Sequence, residues 1–206
     1  MDNFTSPRNT KEKRNLVSSI FVTLLLGLAY QEMIAPVRVS FRETGFSLGL
    51  ITILVIFFLT SIRFFIGAQL HLLSDRLLEM GGFVWFYDFM WIVIEMTVMA
   101  FMGGVSSVKA SSEARIDFFT FLIVLYSIDV AWIVSQYLLG KPWKYFRRQF
   151  IPWRWAILNS FLIAFILLLQ HFTKDLYSTT GLIWLLVLNI GAFVIDVILV
   201  DYYNVL

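Results

Sequence analysis

The stretch from Phe83 to Gly104, FVWFYDFMWIVIEMTVMAFMGG, carries two carboxylates, Asp88 and Glu95, in an otherwise apolar run. Seven residues is close to two helical turns, so both acids leave a helix on one face. The spacing recurs: Asp129 and Gln136 lie seven apart, as do Asn189 and Asp196, while Asn159 and Gln170 lie eleven apart, three turns on one face. A further apolar run, FFLTSIRFFIGAQLHLL, holds Arg63, and the first has a weaker stripe of Thr23 and Tyr30 with Glu32 beyond it. Charge in hydrocarbon is costly, so such side chains face protein or water.

The chemistry open to this set follows from its charge balance. Arg63 stays ionised, and its planar fork holds a carboxylate through two hydrogen bonds. It is outnumbered by Asp88, Glu95, Asp129 and Asp196. An unmatched acid in a low dielectric takes up a proton or recruits a cation. At a rise of about 1.5 Å per residue from the cytoplasmic helix ends, Asp88 and Asp196 fall roughly 8–9 Å deep, Arg63 about 12, Asp129 about 15 and Glu95 about 18. Arg63 is therefore expected to face Asp88, Glu95 and the other acids and to pair with Asp88 or Asp196, leaving Glu95 or Asp129 to titrate. With Asn189, Gln136 and Asn159 in support, the set suits a relay or gate for a small cation, H⁺ or monovalent. The competing account makes it polar glue between helices, each contact worth about a kcal/mol.

The elements that must position these groups are membrane spans. Of the 206 residues 59% are hydrophobic and 15% charged, with 21 Phe and seven Trp, against roughly a quarter charged in soluble domains. Mean hydropathy is +0.80. The sequence predicts an all-α polytopic transmembrane bundle with six spans, at 16–36, 47–71, 83–104, 118–139, 155–172 and 180–203. The first span is read as ending at APVR, and Pro152 precedes the fifth. Residues 1–15 form a basic tail, and residues 16–206 the six-helix domain. No small-residue cleavage site follows the basic run, so the first helix is expected to be retained. A model with the N-terminus inside puts ten Lys and Arg on the cytoplasmic side, in the tail, at Arg76 and in the 140–154 loop, against five outside. Both termini are then cytoplasmic and the location is the cytoplasmic (inner) membrane.

The loop KPWKYFRRQFIPWRW is the most basic and aromatic segment. Lys141, Trp143, Lys144, Arg147, Arg148 and Arg154 suit anionic lipid at the cytoplasmic face or a cytosolic protein, and nucleic acid is not expected there. An alternative function is accordingly an anchor or sensor subunit that recruits a cytosolic effector through this face. The chain has no cysteine, which excludes thiol chemistry. His71, Asp75 and Asp88 form at most a fragment of a hard-metal shell, so no metal or other cofactor is expected. Walker, HExxH, GxSxG and Asp-rich prenyltransferase patterns are absent, and no catalytic activity is expected. A 24.0 kDa subunit hardly encloses a wide pathway, so a homo-oligomer is expected.

Overall fold

A computed structural model describes residues 7–45, 47–73, 82–106, 117–140, 153–173 and 175–196. These residues form six α-helices: α1 (Pro7–Thr44), α2 (Leu48–Leu73), α3 (Gly82–Gly104), α4 (Phe118–Gly140), α5 (Trp153–Thr173) and α6 (Thr179–Val194). The first five are long and apolar enough to cross a bilayer. The sixth is a shorter apolar helix that continues into a π turn at residues 195–196; the remainder of the expected 180–203 span lies outside the described residues. The chain is thus all-helical and a multi-pass membrane protein.

Contacts between the helices close a ring in the order α1, α2, α6, α5, α4, α3, with α2 also reaching α3 across it. Side-chain pairs give the directions. Ser19 meets Gln69 and Tyr30 meets Ser61, so α1 and α2 are antiparallel. Arg14 lies over Trp85 and Gly103 abuts Ala29, so α1 and α3 run parallel. Tyr87 meets Ser135 and Phe101 stacks on Phe121, which makes α3 and α4 antiparallel. A Cβ at Gly103 would collide with the Ala29 carbonyl oxygen; the missing side chain sets the closest approach of α1 to α3.

The first helix departs from expectation. It does not stop at APVR but runs through Pro36 to Thr44. Residues 7–15, read as a tail, belong to the same helix, although nothing here separates a domain at that point. Proline removes one backbone donor without terminating the helix, and the stop comes instead at Gly45, whose φ of 65° is the left-handed C-terminal conformation. Gly45 N donates to the Phe41 carbonyl at 2.9 Å. Thirty-eight residues at 1.5 Å each make a rod of about 57 Å, well beyond a hydrocarbon core of about 30 Å.

The opposite ends of α2, α4 and α6 are capped locally. Ser47 Oγ accepts from Leu50 N at 3.2 Å, Asp117 Oδ1 from Thr120 N at 2.8 Å and Ser178 Oγ from Gly181 N at 3.2 Å. Between α5 and α6, burial pushes the Tyr177 phenol above its ordinary pKa, and Asp117 and Asp175 push the same way. The outer faces carry Leu16, Leu24, Phe101, Ile157, Phe172 and Val187, all more than half exposed, a surface made for lipid. Arg63, Asp88, Glu95, Asp129, Asn159, Asn189 and Asp196 are turned inward.

Candidate functional site

All five charged residues singled out from the sequence are enclosed by the bundle, none more than 5% exposed. They divide between two sites. The first begins on α2, the most enclosed of the long spans. Arg63 Nε donates to Asp196 Oδ2, which the π turn after α6 carries. Arg63 Nη2 donates to Asn159 Oδ1 on α5 at 2.8 Å. Asn159 Nδ2 in turn donates to Asp129 Oδ2 on α4 at 2.5 Å. Asp129 lies within hydrogen-bonding reach of Glu95 on α3. Five helices thus supply one continuous polar chain, Asp196–Arg63–Asn159–Asp129–Glu95.

This chain has both an aromatic jacket and loose ends. The guanidinium carbon of Arg63 lies 5.5 Å from the Trp155 ring, 5.7 Å from Tyr126 and 5.8 Å from Phe64, so three π faces screen the cation from lipid. Arg63 Nη1 and Glu95 Oε1 are buried and have no hydrogen-bond partner among the described residues. Three carboxylates face one guanidinium. A direct hydrogen bond between the carboxyls of Glu95 and Asp129 needs a proton between them, because two carboxylates offer only acceptors.

The second site lies about two turns away toward the other end of the same helices. Asp88 on α3 accepts from Trp132 Nε1 at 3.1 Å and from Gln136 Nε2 at 3.0 Å, both on α4. Its other oxygen meets His71 Nε2 on α2 at 3.2 Å. The His71 ring stands edge-on to Trp132, with centroids 5.2 Å apart. Asp88 therefore does not face Arg63. The expected pairing of Arg63 with Asp88 or Asp196 resolves to Asp196, and Asp88 belongs to a separate cluster, because the register of α3 against α4 sets it level with Gln136.

A cavity of about 20 Å³ separates the two sites. Glu95, Asp129 and Trp132 line it together with Gly67, Ala68 and Trp155. That volume admits about one water, and the carboxyls supply its polar contacts. A Cβ at Gly67 would run into the Trp155 ring, so glycine keeps this passage level with the aromatic jacket.

Asn189, a third supporting group, makes no direct hydrogen bond to the charged residues. It accepts from Tyr126 Oη at 2.8 Å and donates to the Leu185 carbonyl at 2.8 Å, tying α6 to α4 beside Arg63. Gln170 does not share the interior with Asn159; it is exposed in the last turn of α5. Lys141, Trp143, Lys144, Arg147 and Arg148 lie outside the described residues, as does Asp75, and Arg154 is exposed in the first turn of α5. Among the described residues no cluster of three His or acidic side chains is placed to hold a metal. Sequence reasoning missed Trp132 and Tyr126. Trp132 had a signal, since 129, 132 and 136 fall on one helical face.

Compared with protein-family models, with curated proteins and with solved structures, the chain has no match.

Proposed function

We propose that this membrane protein passes or senses a small cation through its buried Arg–carboxylate chain, and that the cation is H⁺. The observation that carries the reading is the uninterrupted chain Asp196–Arg63–Asn159–Asp129–Glu95, with acid in excess of base and buried throughout. Excess acid in a low dielectric binds protons or cations. The 20 Å³ cavity beside Glu95 and Asp129 favours the proton: it fits one water and leaves no room for a hydrated metal ion. The proton moves between the Asp129 and Glu95 carboxyls and into a water held in that cavity beside Trp132. Both termini are cytoplasmic in this reading, which rests on the bias of Lys and Arg. The cytoplasmic membrane and a homo-oligomer remain part of the proposal.

The test is flux in liposomes. Purified protein is reconstituted, and H⁺ and K⁺ movement are followed at neutral and acidic pH for wild type, Asp129→Asn and Arg63→Gln. H⁺ flux that both folded variants lose supports the reading. Flux of K⁺ equal to that of H⁺ removes the proton assignment. Absence of any flux, with variants only less stable, makes the chain a structural brace; the recruitment of a cytosolic effector through Lys141–Arg154 then becomes the reading to pursue.

A further inference from the structure

At the end of α1 where Arg14 meets α3, an open groove of about 510 Å³ lies between the two parallel helices. This size falls within the roughly 300–1,000 Å³ typical of ligand sites. Its mouth carries Lys13 and Arg14, and its walls are Val17, Phe21, Trp85 and Phe89. Arg14, Val17 and Phe21 recur at three and four residues along α1, so one stripe of that helix builds one wall. On the facing wall Trp85 stacks on Phe89 at 5.2 Å between centroids with planes 8° apart, and Phe89 meets Phe21 at 5.9 Å.

The cation is held against an aromatic ring, with no carboxylate paired to it among the described residues. The guanidinium carbon of Arg14 lies 4.5 Å from the centre of the Trp85 ring, a cation–π contact that fixes the side chain over the groove. Its Nε and Nη2 are buried and have no hydrogen-bond partner among the described residues. Glu12, the nearest acid in sequence, is not part of the lining. Guanidinium donors without a partner among the described residues, above a groove of aromatic and aliphatic carbon, are complementary to a phosphate carrying an acyl chain.

We propose that this groove is a specific site for one anionic phospholipid, its phosphate against Arg14 and Lys13 and one acyl chain along Val17, Phe21 and Phe89. The site shares no lining residue with the interior charge chain. A bound lipid lies against both α1 and α3 and ties the least enclosed of the five long spans to the bundle.

The experiment is native mass spectrometry of the full-length protein, stripped of lipid in detergent and titrated with phosphatidylglycerol or phosphatidylcholine. Wild type is expected to bind one phosphatidylglycerol at least about ten-fold more tightly than phosphatidylcholine, because both offer the same phosphate acceptors but the choline cation of the second opposes Arg14 and Lys13. Arg14→Gln with Lys13→Gln abolishes that preference. Val17→Trp keeps both charges and blocks the chain, and is expected to lose phosphatidylglycerol as well, which leaves a decisive variant if the charge changes disturb folding. Equal retention of the two lipids, or unchanged phosphatidylglycerol binding in Val17→Trp, would overturn the proposal. So would glycerol phosphate competing as strongly as the whole lipid, because the acyl chain would then contribute nothing.

Discussion

Asp88 and Asp129 are carboxylates on adjacent helices, 0% and 2% exposed and about two turns apart along the axis, yet the bundle treats them differently. Around Asp88 both oxygens are engaged: an indole and an amide N–H reach one, and His71 reaches the other. The shell of Asp88 itself is filled, although Gln136 Oε1 beside it has no hydrogen-bond partner among the described residues. Asp129 has an amide on one side and another carboxyl on the other, and its chain terminates at a Glu95 oxygen with no hydrogen-bond partner among the described residues. A filled hydrogen-bond shell fixes a charge in place, whereas an unfilled one leaves an acceptor to which a proton can be added. Burial alone does not mark a functional acid; the state of its shell does.

The largest expected effect tests the chain at its only cation. Arg63→Gln leaves three acids facing one another and is expected to destabilise the protein by about 3–5 kcal/mol, the usual cost of breaking a buried ion pair. Unfolding in detergent measures it, and adding Asp196→Asn should recover part of the loss. Next comes Asn159→Leu, which separates Arg63 from Asp129 and leaves polar groups on both sides unpaired, at about 2–3 kcal/mol. Its H⁺ flux should fall at least ten-fold, the factor given by about 1.4 kcal/mol in a barrier.

Asp88→Asn probes the filled shell. The amide retains an acceptor for Trp132 or Gln136, so the expected cost is about 1–2 kcal/mol, with flux nearly unchanged. Were Asp88→Asn to stop flux as fully as Asp129→Asn, the contrast between the sites would collapse and both would belong to one pathway. The smallest effect is expected of Trp132→Phe, about 1 kcal/mol for one lost N–H donor while the ring still packs on His71. A loss of flux there without a loss of stability would place the indole on the route through the small cavity.

Much of this interior is legible in the chain itself. Seven-residue spacing puts Asp88 with Glu95, and Asp129 with Gln136, on single faces, and costly charge requires those faces to turn inward. Which helix meets which is a different matter. A stripe specifies a direction around its own axis but not the axial offset of its neighbour. That offset places Asp88 beside Gln136 and leaves Arg63 to Asp196. The end of α1 was misjudged for a local reason: Pro36 drew attention as a breaker, while the stop is the left-handed Gly45 nine residues later. The π turn bearing Asp196 has no sequence signature comparable to a proline or glycine. The groove around Arg14 was hidden because it depends on two helices running parallel and on Trp85 reaching a cation 71 positions earlier.

The pairing of Arg63 with Asp196 joins groups 133 residues apart and belongs to the second and the last helix. At about 5–20 residues per second of synthesis, the arginine emerges roughly 7–27 s before its counter-ion exists. Throughout that interval α2 holds a charge without its final partner, and α3, α4 and α5 arrive carrying acids and amides in turn. Of the contacts in the polar chain, the one between Arg63 and Asp196 is the last that the order of synthesis allows. A chain cut just before Asp196 therefore contains all six helices and the Arg63–Asn159 contact, yet leaves the arginine without its counter-ion.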